Sequence, residues 1–281
     1  MYIEWIFTLI VSGICLAAIG AHQRICNLDL RASVKVGLLS GIFSSILYLV
    51  LQYQFHINDL ITYILSLISL GIFGVGIVMW YFFRDPERIP PSQTDIIVSP
   101  ADGKIIYVRE IFAGTVPCAI KGKKNIPISE IAKCGVLNKS EGYILGICMS
   151  VLDVHITRAP IEGKMTLLQS FTGRTLSPKN WMSEIENPRS TLIFEDGKHK
   201  VIVTELGTPH ISKILTFIET GDQVSKGQRI GKITWGSQVD VIIPFKGVEV
   251  LVKEGDCVLA GKTILAKIID FNGGCLDENN C

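Results

Sequence analysis

Apolar residues are unevenly placed along the chain: three nearly unbroken runs precede Arg84, and short apolar bursts follow Asp95. The runs are Trp5 to Ala21, Val36 to Tyr53 and Leu60 to Phe83, the last two without charge. A helix crossing a bilayer takes about 20 apolar residues, so the third run fits best and the first two sit near the lower limit. The first run lacks a basic flank at its start and does not fit a cleaved signal peptide. Beyond Asp95 the pattern predicts brief, β-branched strands separated by Gly, Pro and Asp turns, for example Ile96 to Val98, Lys104 to Val108, Tyr143 to Val151, Lys200 to Val203 and Val239 to Ile243. The best place for a helix in this part is 176–190, with Ser177-Pro178 near its start and Asn187-Pro188 near its end.

The strand region repeats itself. Gly221-Asp222-Gln223-Val224 with Gly227 and Ile230 returns as Gly255-Asp256-Cys257-Val258 with Gly261 and Ile264. A Pro-x-x-Gly element occurs at Pro100, Pro160 and Pro244. Glycine permits tight or left-handed turns, and proline suits strand edges. The pattern resembles the half-barrel β fold of lipoyl and biotinyl carriers, which implies a mainly β, barrel-sandwich domain preceded by N-terminal transmembrane helices. The lysine hairpin that such carriers modify has no counterpart here.

Charge changes the picture in one respect, topology. The net charge of +1 gives no support for nucleic-acid binding. Arg24, Arg31 and Lys35 lie between the first and second runs, none lies between the second and third, and Arg84 and Arg88 follow the third. With three spans both basic segments fall on one side, which the positive-inside rule makes the cytoplasm. The chain then divides into a membrane anchor, 1–83, and a cytoplasmic-side domain, 84–281, at the cell membrane. The eight cysteines form no C-x-x-C pair and no zinc spacing with histidine, so no metal site is expected and the thiols read as reduced apolar residues.

Four separated segments carry candidate chemistry. Arg84-Asp85-Pro86-Glu87-Arg88 is either a positive-inside flank or a pair of guanidinium groups for phosphate or carboxylate at headgroup depth. Ser99-Pro100-Ala101-Asp102-Gly103 is otherwise a common turn. Asp153 to Pro160 sets His155 two residues from an acid, on one face if the segment is extended, and three from Arg158. In Trp235-Gly236-Ser237-Gln238-Val239-Asp240, the glycine leaves its carbonyl unhindered for attack by the Ser237 hydroxyl.

The ordered set F-F-R-D-P-E-R, S-P-A-D-G, M-S-V-x-D-V-H-x-x-R-A-P and G-S-x-V-D-V-x-x-P resembles the phosphatidylserine decarboxylase proenzymes, especially their short type, from about Phe82 to Pro244. Each motif is weak alone, and their order is specific. The resemblance implies cleavage between Gly236 and Ser237 into a β chain, 1–236, and an α chain, 237–281, paired as a heterodimer that could itself pair. It implies a pyruvoyl cofactor made from Ser237, a Schiff base with the amine of a phospholipid substrate, and no metal. His155 held by Asp102 is the candidate base for cleavage, and His155 also the acid for decarboxylation. Arg84, Arg88, Arg158 and Lys213 are the candidate headgroup contacts. Short members carry an adjacent arginine pair where this chain has His210 to Ile214, and longer members carry a second histidine where it has Arg158. Archaetidylserine or a related serine lipid remains an alternative substrate. A non-enzymatic membrane adaptor with a lipoyl-like domain would not require this motif set, and a β-rich zinc peptidase would need an H-x-H ligand pair that the sequence lacks.

Overall fold

The computed structural model describes residues 6, 9–10, 12–14, 30–111, 118–121, 124–127, 141–171, 188–207, 214–234 and 238–269. They divide into two compact units: 1–86 with 149–155, and 87–148 with 156–281.

The first unit contains two long helices, α1 (Leu30–Phe55) and α2 (Asp59–Phe83). Both are long and apolar enough to cross a membrane, over Val34–Phe55 and Asp59–Phe83. Their apolar side chains are largely exposed, as at Ile46, Leu60, Ile72 and Trp80, a surface suited to lipid rather than water. Small polar groups and rings join the two helices: Ser44 and Ser69 share a hydrogen bond of 3.0 Å, and Phe43 stacks on Phe73 at 4.0 Å. Asn58 caps α2 by accepting from the Leu60 N–H. The first predicted span lies mostly outside the described residues.

The second unit is β-rich. Its strands are β1 (Ile96–Val98), β2 (Gly103–Ile111), β3 (Cys118–Lys121), β4 (Lys124–Pro127), β5 (Gly142–Cys148), β6 (Ile156–Arg158), β7 (Gly163–Phe171), β8 (Arg189–Glu195), β9 (Lys200–Leu206), β10 (Ile214–Thr216), β11 (Gln223–Val224), β12 (Arg229–Ile233), β13 (Gln238–Ile243), β14 (Val248–Val250), β15 (Cys257–Val258) and β16 (Ile264–Ile268). An eight-stranded antiparallel sheet runs β11-β7-β8-β9-β13-β5-β2-β15. Two three-stranded sheets, β1-β16-β14 and β10-β12-β6, and the β3-β4 hairpin complete the described strands. Ile111, Ile144, Ile193, Ile202 and Ile242 form a core cluster, with Tyr107 and Leu167 packed on it.

The sequence repeat is a structural repeat. β1 pairs with β16 as β6 pairs with β12, and β15 closes one end of the large sheet on β2 as β11 closes the other on β7. The hydrogen bonds match one for one: Gly221 N–H donates to the Met165 carbonyl and Gly255 N–H to Ile105, while Gly227 N–H donates to Ala159 and Gly261 N–H to Ser99. Gly103 and Gly163 open the equivalent strands at φ of 150° and 149°. A Cβ there would stand 2.4 Å from the Cys148 carbonyl oxygen and 2.2 Å from that of Glu195, so both positions require glycine.

Two sequence expectations need correction. Arg189 and Ser190, placed at the end of a helix over 176–190, open β8; residues 172–187 lie outside the described set. Strand β5 ends at Cys148 rather than Val151, because residues 151–153 turn. Asp153 therefore does not share a strand face with His155.

Candidate active site

Asp102 follows the turn that ends β1 and is almost wholly buried. Burial of a carboxylate demands partners, and these come from far along the chain. Arg88 reaches it with two guanidinium nitrogens, Nη1 to Oδ1 at 2.5 Å and Nη2 to Oδ2 at 2.8 Å. The Ala260 N–H donates to Oδ1 at 2.7 Å, and Arg88 Nη1 also donates to the Ala260 carbonyl at 2.9 Å. A bidentate fork of this kind holds a carboxylate in one orientation. Arg88, expected at a lipid headgroup, thus has its guanidinium on Asp102.

His155 lies in the first unit and is fully buried. Its ring sits against Phe82, with centroids 4.1 Å apart, and Nδ1 is 2.9 Å from the Asp153 carbonyl oxygen. A carbonyl only accepts, so Nδ1 carries a proton, which in a neutral ring leaves the lone pair on Nε2. Asp153 closes the preceding turn by accepting from the Ser150 N–H at 2.7 Å. The acid near His155 in sequence therefore shapes the loop, and it is the Asp153 main chain that orients the imidazole.

Arg84 ends α2, donating to the Tyr81 carbonyl at 3.1 Å with its guanidinium 4.7 Å from the Tyr81 ring centre. Arg158 is buried and donates to the Gly227 carbonyl at 2.9 Å, inside one copy of the repeated turn. Lys213, Gly236 and Ser237 lie outside the described residues. The strand that follows Ser237 is well held. Gln238 donates to Asp240 Oδ1 at 2.8 Å and to the Tyr107 hydroxyl at 3.1 Å, and Tyr107 donates to Asp240 Oδ1 at 2.7 Å. Arg229 pairs with Glu87 at 2.6 Å, and that hydrogen bond and charge hold the Glu87 carboxyl below the usual carboxylate range.

Sequence reasoning did not single out Phe82, Tyr107 or Glu205. Phe82 sat inside a quoted motif, but nothing in a run of apolar residues distinguishes it. Glu205 did leave a signal, a lone acid in the apolar stretch Val201-Ile202-Val203-Thr204-Glu205-Leu206.

The described side chains supply a fixed buried carboxylate and a buried imidazole, the residue types that nucleophile activation uses. Comparison with known proteins bears on what they serve. The family model for phosphatidylserine decarboxylase matches residues 75–266, a stretch that contains Arg88, Asp102, His155, Gly236 and Ser237. A phosphatidylserine decarboxylase proenzyme of Ruegeria pomeroyi is 35% identical, over 74% of this chain and 89% of its own. One from Symbiobacterium thermophilum is 33% identical, over 69% of this chain and 81% of its own. A protein of Methanothermobacter thermautotrophicus, provisionally named archaetidylserine decarboxylase proenzyme, is 33% identical over 74% of this chain and 86% of its own. On the extent of these matches, the chain belongs to the phosphatidylserine decarboxylase family.

Proposed function

We propose that this protein decarboxylates a serine-headed phospholipid, phosphatidylserine or its archaeal ether counterpart, with a pyruvoyl group made from its own Ser237. The observation that carries the reading is the ordered motif set lying inside a family match over residues 75–266. The chain holds the residues that formation of the group needs: a Gly-Ser bond directly before β13, a buried carboxylate and a buried imidazole.

In this reading Ser237 Oγ attacks the Gly236 carbonyl and the amide becomes an ester. His155 Nε2 takes the hydroxyl proton. Elimination then leaves a carboxylate on Gly236 and a dehydroalanine at 237, and water converts the latter to the pyruvoyl group with release of ammonia. Once formed, the group supplies an electron sink for loss of carbon dioxide. Arg88 holds Asp102 in place, and the imidazole of His155 is the proton donor that returns a proton to the α-carbon. Arg84, Arg158 and Lys213 are the remaining cations proposed to meet the headgroup.

The same reading makes 1–83 the membrane anchor and 84–281 the catalytic domain, on the cytoplasmic side because Arg24, Arg31, Lys35, Arg84 and Arg88 fall on one side of three spans. It makes the mature protein two chains, 1–236 and 237–281, and the repeated β scaffold a lipoyl-like barrel-sandwich.

Intact mass of the purified protein tests the proposal. The expected small chain starts at 237, resists N-terminal sequencing and is lighter than its serine-initiated form by one ammonia. Ser237→Ala is expected to leave one uncleaved chain with no decarboxylase activity on vesicles containing phosphatidylserine. An active, uncleaved wild-type chain would refute the mechanism.

A further inference from the structure

Glu205 on β9 is 1% exposed, a carboxyl group in the middle of the eight-stranded sheet. Strand register puts it opposite Val239 of β13 on one side and Ser190 of β8 on the other. Residues opposite one another in an antiparallel pair share a face. On that face Glu205 meets the smaller sheet. A Cβ on Gly231 of β12 would lie 3.4 Å from Glu205 Oε1, 3.1 Å from Thr157 Oγ1 of β6 and 2.7 Å from the Leu215 carbonyl oxygen of β10. The carboxyl thus fills the space that Gly231 leaves open, between the strand ending just before 234–237 and the strand starting just after it.

Among the described residues no charge faces it. Ser190, Val239, Thr157 and Gly231 face Glu205 from their strands, and the charged neighbours Arg189, Asp240, Arg158 and Lys232 alternate to the opposite sides. Neither Glu205 Oε1 nor Thr157 Oγ1 has a hydrogen bond among the described residues. Burial accordingly pushes the carboxyl up to about 7, against a smaller downward pull from the nearby Thr157 hydroxyl. In the protonated form the group fits as an uncharged strut; ionised, it would be a buried charge with no counterion among the described residues, which the packing would have to open to hydrate.

We propose that Glu205 is a positioning residue for self-cleavage, setting the spacing of β9, β12 and β13 and through it the geometry of the Gly236–Ser237 bond. This rests on the cleavage reading above. Glu205 touches no reacting atom; it acts through the strands that carry them. The cleavage rate should therefore fall about tenfold for each pH unit above neutrality as Glu205 ionises.

The test is a pulse-chase of full-length precursor made in membranes, from pH 5.5 to 9, for wild type, Glu205→Gln, Glu205→Ala and Ser237→Ala. Glu205→Gln, uncharged at every pH, is expected to cleave and to lose the alkaline fall. Glu205→Ala, which removes the strut, is expected to slow cleavage at least tenfold across the range. A Glu205→Gln profile superimposable on wild type would overturn the proposal even if Glu205→Ala fails to fold, and so would wild-type rates in Glu205→Ala. Cleavage that persists in Ser237→Ala, or a wild-type precursor that never cleaves, would instead bring down the cleavage reading and this inference with it.

Discussion

Phe82 packs its ring on His155 and is itself 2% exposed, so the imidazole has carbon against it and the Asp153 carbonyl at Nδ1. Packing fixes ring orientation, and orientation decides whether Nε2 faces a proton it must take. Phe82→Ala is expected to cost about 3–5 kcal/mol of stability, as buried Phe truncations do, and to slow maturation. Phe82→Leu, which restores much of the volume, should recover folding but only part of the maturation rate. Densitometry of precursor and product bands after a chase reads both; equal rates in Phe82→Leu and wild type would show that the ring has no orienting part. The Arg88–Asp102 pair is a second residue-scale device. A buried carboxylate is costly unless paired, and the fork from Arg88 with the Ala260 N–H meets that demand from two distant points of the chain.

Among the elements, β13 is central to the large sheet. It pairs with β5 over Tyr143 to Cys148 and with β9 over Ile202 to Leu206. A strand bonded on both sides cannot slide by one residue without sending every side chain to the other face. Its first residue, Gln238, is held by Tyr107 and Asp240, so the segment after the proposed cleavage site starts from a fixed point. The repeated turns anchor the sheet ends in the same way. Gly103→Ala and Gly163→Ala each put a Cβ into a carbonyl oxygen, at 2.4 and 2.2 Å, and each should destabilise by about 2 kcal/mol or more. The repeat predicts similar losses for the two, measured as thermal midpoints in the uncleavable Ser237→Ala background. A neutral result at either would mean that the two halves are not equivalent there.

For the whole molecule, pH dependence of stability follows from which carboxyls bind protons more tightly when folded. Glu205 is raised from an ordinary 4.5 to about 7 by burial. Its contribution is fully present below 4.5 and is lost as pH rises through 7, by a total on the order of 3 kcal/mol. Glu195 moves the other way: Lys200, 2.8 Å away, outweighs burial and holds its carboxyl low, so its contribution is present above the usual carboxylate range and lost as pH falls. Between pH 5 and 7.5 the first effect should dominate. Thermal midpoints in the Ser237→Ala background should fall over that window and flatten on adding Glu205→Gln; an unchanged slope would mean that Glu205 is already ionised in the folded protein.

Local chemistry was legible in the sequence. Apolar runs of spanning length announced α1 and α2, brief β-branched bursts between turn residues announced β1, β2, β9 and β13, and recurrent Gly-Asp pairs announced a duplicated scaffold. These follow from periodicity and turn preference, which act over a few residues. The ordered motifs marked the family, because each is a short string whose spacing survives in one dimension. Partnership was not legible. That Arg88 grips Asp102, that Phe82 lies on His155 and that Glu205 fills the hollow at Gly231 depend on which strands pair, in which register and with which face inward. Asp153 shows the limit most clearly: its nearness to His155 in sequence suggested a carboxylate partner, yet a turn after Cys148 offers the imidazole a main-chain carbonyl instead. Side-chain partners are chosen by long-range packing, and only the tertiary structure contains that choice.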